Sequence, residues 1–230
     1  MEVWYHIFMT RKITLAPDEY YHVYNRGVDK RIVFMDVIDH QYFLALLYLS
    51  NSKKAFEVSN LSRDRTLKEL FEVDTEDQLV AIGAYCLMPN HFHILLKEKV
   101  DGGTSLFMQK LGTAYTMYFN AKYERTGALF EGRFKASHVD NDRYLKYLYA
   151  YIHLNPVKIV DEGWGNRKLL NKKKSQEHLA EYPFSSYLDY TGLSRPENVI
   201  LSKEYFPKYF ATATDFKRMI AEWLAFDGAQ

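Results

Sequence analysis

Two histidines separated by one phenylalanine, His91-Phe92-His93, have the clearest capacity for chemistry in this sequence. The residues around them predict a strand, and side chains two positions apart on a strand project from the same face. The two imidazoles can therefore converge on one metal ion. The same spacing also occurs in strands whose two histidines are simply exposed, so spacing alone leaves both interpretations open.

A second set of polar side chains lies further along the chain. Tyr151 and Asn155 are four residues apart in a segment that predicts a helix, so the phenol and the amide would stand on one side of it. A structural interpretation is also open, because tyrosines commonly pack along amphipathic helices and Asn155-Pro156 is an ordinary helix stop. His153 points away from the side of Asn155, and we assign it to packing or to support of the site.

The elements that position these residues follow from hydrophobic periodicity and turn signals. The sequence predicts the order strand, helix, strand, strand, helix, strand, helix. This order indicates an α+β domain of the ferredoxin-like plan, with a mainly antiparallel central sheet and helices packed on one face. The predicted strands span 20–24, 79–87 and 91–96, with a fourth within 126–139, and the predicted helices span 39–49, 105–123 and 143–154. We expect a polar cap at the start of the 105–123 helix, Asp142 as the N-cap of the last helix, and Asn155 before Pro156 as its end.

The chain divides into three predicted parts. A leader covers residues 1–19, the main domain covers 20–192 with a charged insertion at about 51–77, and an extension covers 193–230 and includes a helix at 215–226. After Gly163, a stretch with Arg167, Lys168 and Lys172–Lys174 predicts a basic loop.

Composition limits the classes of protein that this chain can represent. Its 230 residues are 47% hydrophobic and carry a net charge of +1, which argues against a uniformly basic coat and against a long disordered tail. A single cysteine, Cys86, excludes an intramolecular disulfide and a cysteine-rich zinc module. No apolar run is long enough for a membrane span, so we expect a cytoplasmic protein with no membrane partner.

Positive charge is concentrated in one stretch of the sequence. Between residues 110 and 137 there are five basic and two acidic residues, interleaved with aromatic side chains that could stack on bases. Such a stretch is also expected of an ordinary solvated face. The candidate DNA-binding residues are Arg26, Lys110, Lys122, Arg125, Arg133 and Lys135, with Lys30 and Lys172–Lys174 as further candidates.

Several motifs in order resemble one family of enzymes. Met88-Pro89-Asn90-His91-Phe92-His93-Ile94-Leu95-Leu96 is followed by Tyr151-Ile152-His153-Leu154-Asn155-Pro156-Val157-Lys158. The supporting motifs are Tyr21-His22-Val23 with Asn25-Arg26-Gly27, Gly132-Arg133-Phe134-Lys135, and Tyr182-Pro183-Phe184-Ser185-Ser186-Tyr187. Together they resemble the single-tyrosine HUH transposases, above all the branch of REP-associated tyrosine transposases, over residues 20–192.

The resemblance implies a function and a set of site residues. It implies cleavage of single-stranded DNA with hairpins by Tyr151, which would attack a backbone phosphate and form a 5′-phosphotyrosyl link. It also implies that His91, His93 and Asn155 hold a divalent metal, Mg²⁺ or Mn²⁺, although another branch of the family has Gln at the position of Asn155. The protein is expected to act as a monomer or a homodimer. The alternatives are a metal-dependent hydrolase and a non-catalytic nucleic-acid-binding domain of the same fold.

Overall fold

A four-stranded antiparallel sheet lies at the centre of the fold, in the order β2-β3-β1-β4. The strands are β1 (Tyr20–Arg26), β2 (Val80–Met88), β3 (His91–Glu98) and β4 (Lys135–His138). A helical segment follows β1 before the β2–β3 hairpin, and one long helix connects β3 to β4. This order and connectivity are those of the ferredoxin-like fold, so the predicted fold class is confirmed.

The computed structural model describes residues 13–54, 67–75, 77–166 and 169–225. Its helices are α1 (Val37–Leu49), α2 (Leu67–Phe71), α3 (Gly103–Lys122), α4 (Asp142–Leu154), α5 (Val157–Val160), α6 (Lys172–Glu181), α7 (Tyr187–Tyr190) and α8 (Ala213–Ala225). Short 3₁₀ turns occur at Val28–Lys30, Glu162–Asn166, Pro196–Ile200 and Lys203–Tyr205. The parts of our predictions that lie outside the described residues are 1–12 of the leader, 55–66 and 76 of the insertion, Arg167, Lys168 and 226–230.

Helices cover both faces of the sheet, so our prediction of helices on one face was wrong. Phe92 and Ile94 of β3 face a core formed with α1 and α3. Leu95 of the same strand faces a second core formed with α4 and α8. The sequence of β2 reflects this arrangement, because its residues are all buried and largely apolar. A strand that is covered on both sides does not alternate between apolar and polar residues.

Two predicted helix caps differ from the structure. The N-cap of α4 is Asn141, whose side-chain oxygen accepts a hydrogen bond from the Tyr144 amide at 2.8 Å, and Asp142 is the first residue inside the helix. Helix α3 begins after Gly102, which has a left-handed backbone with φ 69° and provides no side-chain cap. Asn and Asp have similar cap preferences, so a shift of one residue is within what the sequence can resolve.

Helix α4 ends as predicted, with Asn155 as its C-cap, but the backbone of Asn155 stays in the helical region, which the proline signal did not predict. Asn155 has φ −54° and ψ −41°, and Pro156 continues the path into α5. Pro156 needs no backbone N–H donor at this first position of a new turn, so the bend is compatible with its ring. The prediction of a loop at Lys172–Lys174 was wrong, because these residues form the first turn of α6, which is capped by Asn171.

The C-terminal part of the chain packs against α4 and against the edge of β2. Phe216 of α8 is fully buried in the second core, and the Trp223 ring centre lies 5.3 Å from that of Tyr147 on α4. Residues 183–186, which we call the edge segment, run along β2: the Leu87 amide donates to Phe184 and the Ser186 amide donates to Tyr85. Within the described ranges, no helix has both the length and the apolar character needed to cross a bilayer.

Candidate active site

Three histidines and one tyrosine meet where α4 crosses the sheet. In the register of β1 and β3, Tyr24 lies opposite His93, so His22, two residues earlier, projects from the same face as both strand histidines. The Tyr151 ring centre on α4 lies 5.4 Å from that of His93 and 5.7 Å from that of His22, edge-on to both. The structure therefore brings the strand pair and the predicted nucleophile together.

A neighbouring amide holds the ring of His91. The Asn90 side-chain nitrogen donates to the Lys30 carbonyl at 3.1 Å, so the Asn90 side-chain oxygen faces His91 Nδ1 at 2.6 Å. Because an amide oxygen can only accept, His91 Nδ1 must carry the proton in this contact. The other ring nitrogen, Nε2, then keeps a lone pair.

The ring of His93 has a different partner. Its Nδ1 lies 2.9 Å from Nε2 of His22, and both residues are buried. The ring centres of His91 and His93 are 5.0 Å apart and nearly perpendicular. Each strand histidine thus uses Nδ1 for a contact with the protein.

The environment keeps all three imidazoles neutral. Burial lowers the pKa of His22 to about 3. Burial also lowers the pKa of His91 to about 4, with smaller contributions from the positive charges of Lys158 and Arg26. The pKa of His93 is well below the usual range, chiefly through burial and then through the proximity of His22, His91 and Lys158. Neutral imidazole is the form that binds a metal ion.

Asn155 is connected to Tyr151 and to Lys158. Its side-chain nitrogen donates to the Tyr151 carbonyl oxygen at 2.7 Å, and its side-chain oxygen accepts from Lys158 Nζ at 3.0 Å. Lys158 is exposed at the rim, and its Nζ lies 5.5 Å from the Tyr151 ring centre. The Asn155 side chain thus contacts the backbone of Tyr151 and the ammonium group of Lys158.

The donor chemistry of the predicted ligands, His91, His93 and Asn155, fits a divalent metal. His91 and His93 offer neutral rings whose Nδ1 atoms already have partners, which is the usual arrangement of metal-binding histidines. The Asn155 oxygen accepts one hydrogen bond and has a second lone pair. Over the described ranges, no three His, Cys, Asp or Glu side chains form a metal-binding group, and the predicted set does not require one, since its third member is an amide.

His153 belongs to the core, as we predicted. Its ring is fully buried, Nδ1 donates to the Tyr149 carbonyl oxygen at 2.7 Å, and Nε2 lies 2.7 Å from the hydroxyl of Ser186. Burial lowers the pKa of His153 to about 3. Its ring packs 5.1 Å from that of Phe216, within the second core.

Some of the predicted basic residues surround the cluster. Arg26 lies opposite His91 in the sheet and forms a two-pronged ion pair with Glu131 at 3.0 and 3.3 Å. Lys135, opposite Tyr24 on β4, lies 3.9 Å from Glu131, and Arg133 is exposed in the loop before it. The further candidates are exposed elsewhere: Lys30 after β1 and Lys172–Lys174 in α6.

Other predicted basic residues lie on α3 or directly after it, in the layer on the opposite side of the sheet. Lys122 forms ion pairs with Asp36 and Asp39, both at 2.7 Å. Lys110 donates to two backbone carbonyl oxygens, and Arg125, which follows α3, donates to the Asn120 side chain of that helix. The structure does not bring these three side chains to the histidine cluster, and their role in DNA binding stays a prediction.

No role was predicted for His22, Asn90 or Lys158, although all three lie within the family-like motifs of the sequence. The alternation of β1 could have indicated that His22 shares a face with Tyr24, but the pairing of β1 with β3 was needed to place it beside His93. Lys158 lies beyond a proline that we expected to end the helix, so no helical spacing connected it to Asn155.

Comparison with known proteins gives one match to a family. The family model described as "Transposase IS200 like" matches residues 38–155, just over half of the chain, and this range includes both strand histidines, Tyr151 and Asn155. One similar solved structure is described as "Structure of the REP associates tyrosine transposase bound to a REP hairpin". It has 18% sequence identity and a TM-score of 0.48, over 82% of this chain and 89% of that one. No curated protein matches the chain.

Proposed function

The chain belongs to the family of IS200-like transposases, and on that premise we propose that it cleaves and rejoins single-stranded DNA at hairpins with Tyr151 as nucleophile. One observation carries this proposal. The Tyr151 ring lies 5.4 Å from His93, in a cluster of neutral imidazoles that has the donors for a divalent metal. A phenol beside such a cluster is suited to phosphoryl transfer to tyrosine.

The proposed reaction conserves the number of phosphodiester bonds. The Tyr151 phenol oxygen attacks a backbone phosphorus and loses its proton to solvent, while the bond from phosphorus to the 3′ oxygen breaks. The products are a 5′-phosphotyrosyl link and a strand whose 3′ oxygen has taken up a proton. A 3′-hydroxyl from another DNA end then reverses these steps, which rejoins DNA and restores the phenol.

Two kinds of side chain would assist this reaction. When bound by His91, His93 and Asn155, Mg²⁺ or Mn²⁺ would supply Lewis-acid activation of the scissile phosphate. Asn90 holds the His91 ring in the orientation that leaves Nε2 available. The ammonium of Lys158 lies close enough to the Tyr151 ring to offset the negative charge of an approaching phosphate.

The placement of the cluster supports a single-stranded substrate. His93 is buried beneath α4, so a phosphate must enter a narrow site beside a helix. A flexible single strand can direct one phosphate into such a site, whereas a base-paired duplex is held at a fixed width. Arg26 and Lys135 on the same face of the sheet could contact neighbouring phosphates.

The test is covalent trapping of DNA by purified protein. We would incubate the full chain and Mn²⁺ with a pool of labelled single-stranded hairpin oligonucleotides with randomised flanks, and separate adducts on a denaturing gel. We expect an adduct with the wild type and none with Tyr151→Phe. Tyr147→Phe is the matched control, because this tyrosine lies one turn earlier on α4 with its ring 5.8 Å from that of Tyr151.

Other outcomes would favour the alternatives. An adduct that persists in Tyr151→Phe would identify another nucleophile. Free cleavage products without an adduct would favour a metal-dependent hydrolase. Retention of hairpin DNA without any cleavage would favour a binding domain.

A further inference from the structure

The contact between His22 and His93 is an edge-to-edge hydrogen bond between two buried rings. The bonded nitrogens are 2.9 Å apart, while the ring centres are 5.0 Å apart and the ring planes differ by 29°. The two nitrogens therefore lie between the rings, in line with the direction of the lone pair. Tyr24 and Tyr151 pack 5.1 Å and 5.7 Å from His22, centre to centre, and restrict the rotation of its ring.

This hydrogen bond determines which nitrogen of His93 can bind a metal ion. A bond between two ring nitrogens needs one N–H and one lone pair. If His93 Nδ1 carries the proton, Nε2 of His93 keeps its lone pair. If His22 Nε2 carries the proton, a neutral His93 has its own proton on Nε2 and cannot coordinate metal through that atom.

The two strand histidines differ in whether their hydrogen-bond partner alone determines their tautomer. The partner of His91 is the oxygen of Asn90, which can only accept, so the tautomer of His91 is determined locally. The partner of His93 is an imidazole, which can either donate or accept. The state of His22 is therefore coupled to the binding capacity of His93.

We propose that His22 is a positioning residue that accepts a hydrogen bond from His93 Nδ1–H and thereby directs His93 Nε2 to the divalent metal. The role of the metal rests on the proposed function, whereas the tautomer of His93 is a property of the metal-free protein. His22 lies before residue 38, outside the segment that matches the family, and β1 holds it beside β3. In the metal-free protein, His22 thus keeps the lone pair of His93 Nε2 available for a metal ion.

Two substitutions separate hydrogen bonding from packing. His22→Gln retains a polar group of similar reach that can accept a hydrogen bond, and His22→Leu fills space without one. The control is His138→Leu, which removes a histidine of β4 whose Nε2 lies 2.7 Å from a Glu19 carboxylate oxygen, outside the cluster. Thermal unfolding would establish that each variant is folded at the temperature of measurement.

The first measurement is ¹⁵N NMR of the metal-free protein, which distinguishes the two tautomers of His93. We expect His93 to carry its proton on Nδ1 in the wild type and in His22→Gln, and to exchange between tautomers in His22→Leu. The second measurement is calorimetric titration with Mn²⁺. We expect His22→Leu to lose about tenfold or more in affinity, and His22→Gln and His138→Leu to stay close to the wild type.

Two results would overturn the inference. One is a metal-free His93 that carries its proton on Nε2. The other is an unchanged Mn²⁺ affinity in a folded His22→Leu. A wild-type protein that binds no Mn²⁺ would instead refute the metal in the proposed function, and with it the proposed effect of His22 on metal binding. The NMR spectrum would still show whether His93 or His22 donates the hydrogen bond.

Discussion

Replacement of His153 by alanine should separate the stability of the fold from the chemistry of the site. The His153 ring is fully buried, with ring centres of Phe216 and Tyr190 at 5.1 Å and 5.3 Å. Removing a buried aromatic ring costs about 3–5 kcal/mol, and imidazole is smaller than phenyl, so we expect about 3 kcal/mol from the cavity. Its two hydrogen bonds should add less than about 1 kcal/mol, because both partners have another bond in the core.

The second partners are visible in the structure. The Tyr149 carbonyl oxygen remains within the helical hydrogen-bond pattern of α4, and the Ser186 hydroxyl is 3.2 Å from the Tyr85 carbonyl oxygen. Neither group would be left buried without a partner. His153→Phe, which fills the space but loses both bonds, should cost about 1–2 kcal/mol.

Urea unfolding followed by circular dichroism measures these differences as shifts of the midpoint at unchanged slope. Mn²⁺ affinity, measured where the variants are folded, should stay within about twofold of the wild type, because the His153 ring bonds Tyr149 and Ser186 and packs in the second core. A His153→Ala protein of wild-type stability that loses metal affinity would refute this reasoning. It would place His153 at the metal rather than in the core.

Three further predictions concern the metal, the substrate and pH. His91→Ala and His93→Ala should each lower Mn²⁺ affinity by about tenfold or more in calorimetry, whereas Asn155→Gln should retain part of the affinity. Unchanged affinity in both alanine variants would show that the two histidines do not bind the metal. Cleavage at matched salt should favour single-stranded hairpins over blunt duplex. Equal rates would contradict the proposal that the buried site admits only a flexible single strand. The metal-free protein should lose stability as pH falls from about 6.5 toward 3. The pKa of His153 is about 3 in the fold and near 6.5 in the unfolded chain, so in this range the unfolded chain binds a proton that the folded protein does not. In urea unfolding at a series of pH values, the slope should be shallower in His153→Phe by up to about 1.4 kcal/mol per pH unit, and an equal slope would show that His153 does not contribute.

The sequence predicts those parts of the site that depend on one element at a time. The period of a strand placed His91 and His93 on one face, and the period of a helix separated His153 from Asn155. Both expectations need only local geometry. His22 shows the limit of this approach, because its contact with His93 depends on which strand pairs with β3 and in which register.

Errors in the predicted elements have similar physical causes. Helix α4 ends before Pro156 as predicted, but Asn155 keeps a helical backbone, because the preference to leave the α region before a proline is weak and the buried Leu154 and Val157 favour a continuous path. The basic composition of Lys172–Lys174 suggested a loop, but Ser175 and Leu179 are buried four residues apart, which is the stripe of a helix. In both places tertiary packing decides between options that are close in local energy.

The edge segment has a consequence for aggregation. A strand at the edge of a sheet can recruit another chain through its unpaired backbone groups. Strand β2 has nine buried residues, and residues 183–186 occupy hydrogen-bonding groups on its outer side near Tyr85 and Leu87. At the other edge, β4 is only four residues long and carries Lys135, which discourages pairing. A chain that loses the edge segment would therefore present β2, its most apolar strand, to other molecules, and we expect such a chain to aggregate before it loses the order of its remaining sheet.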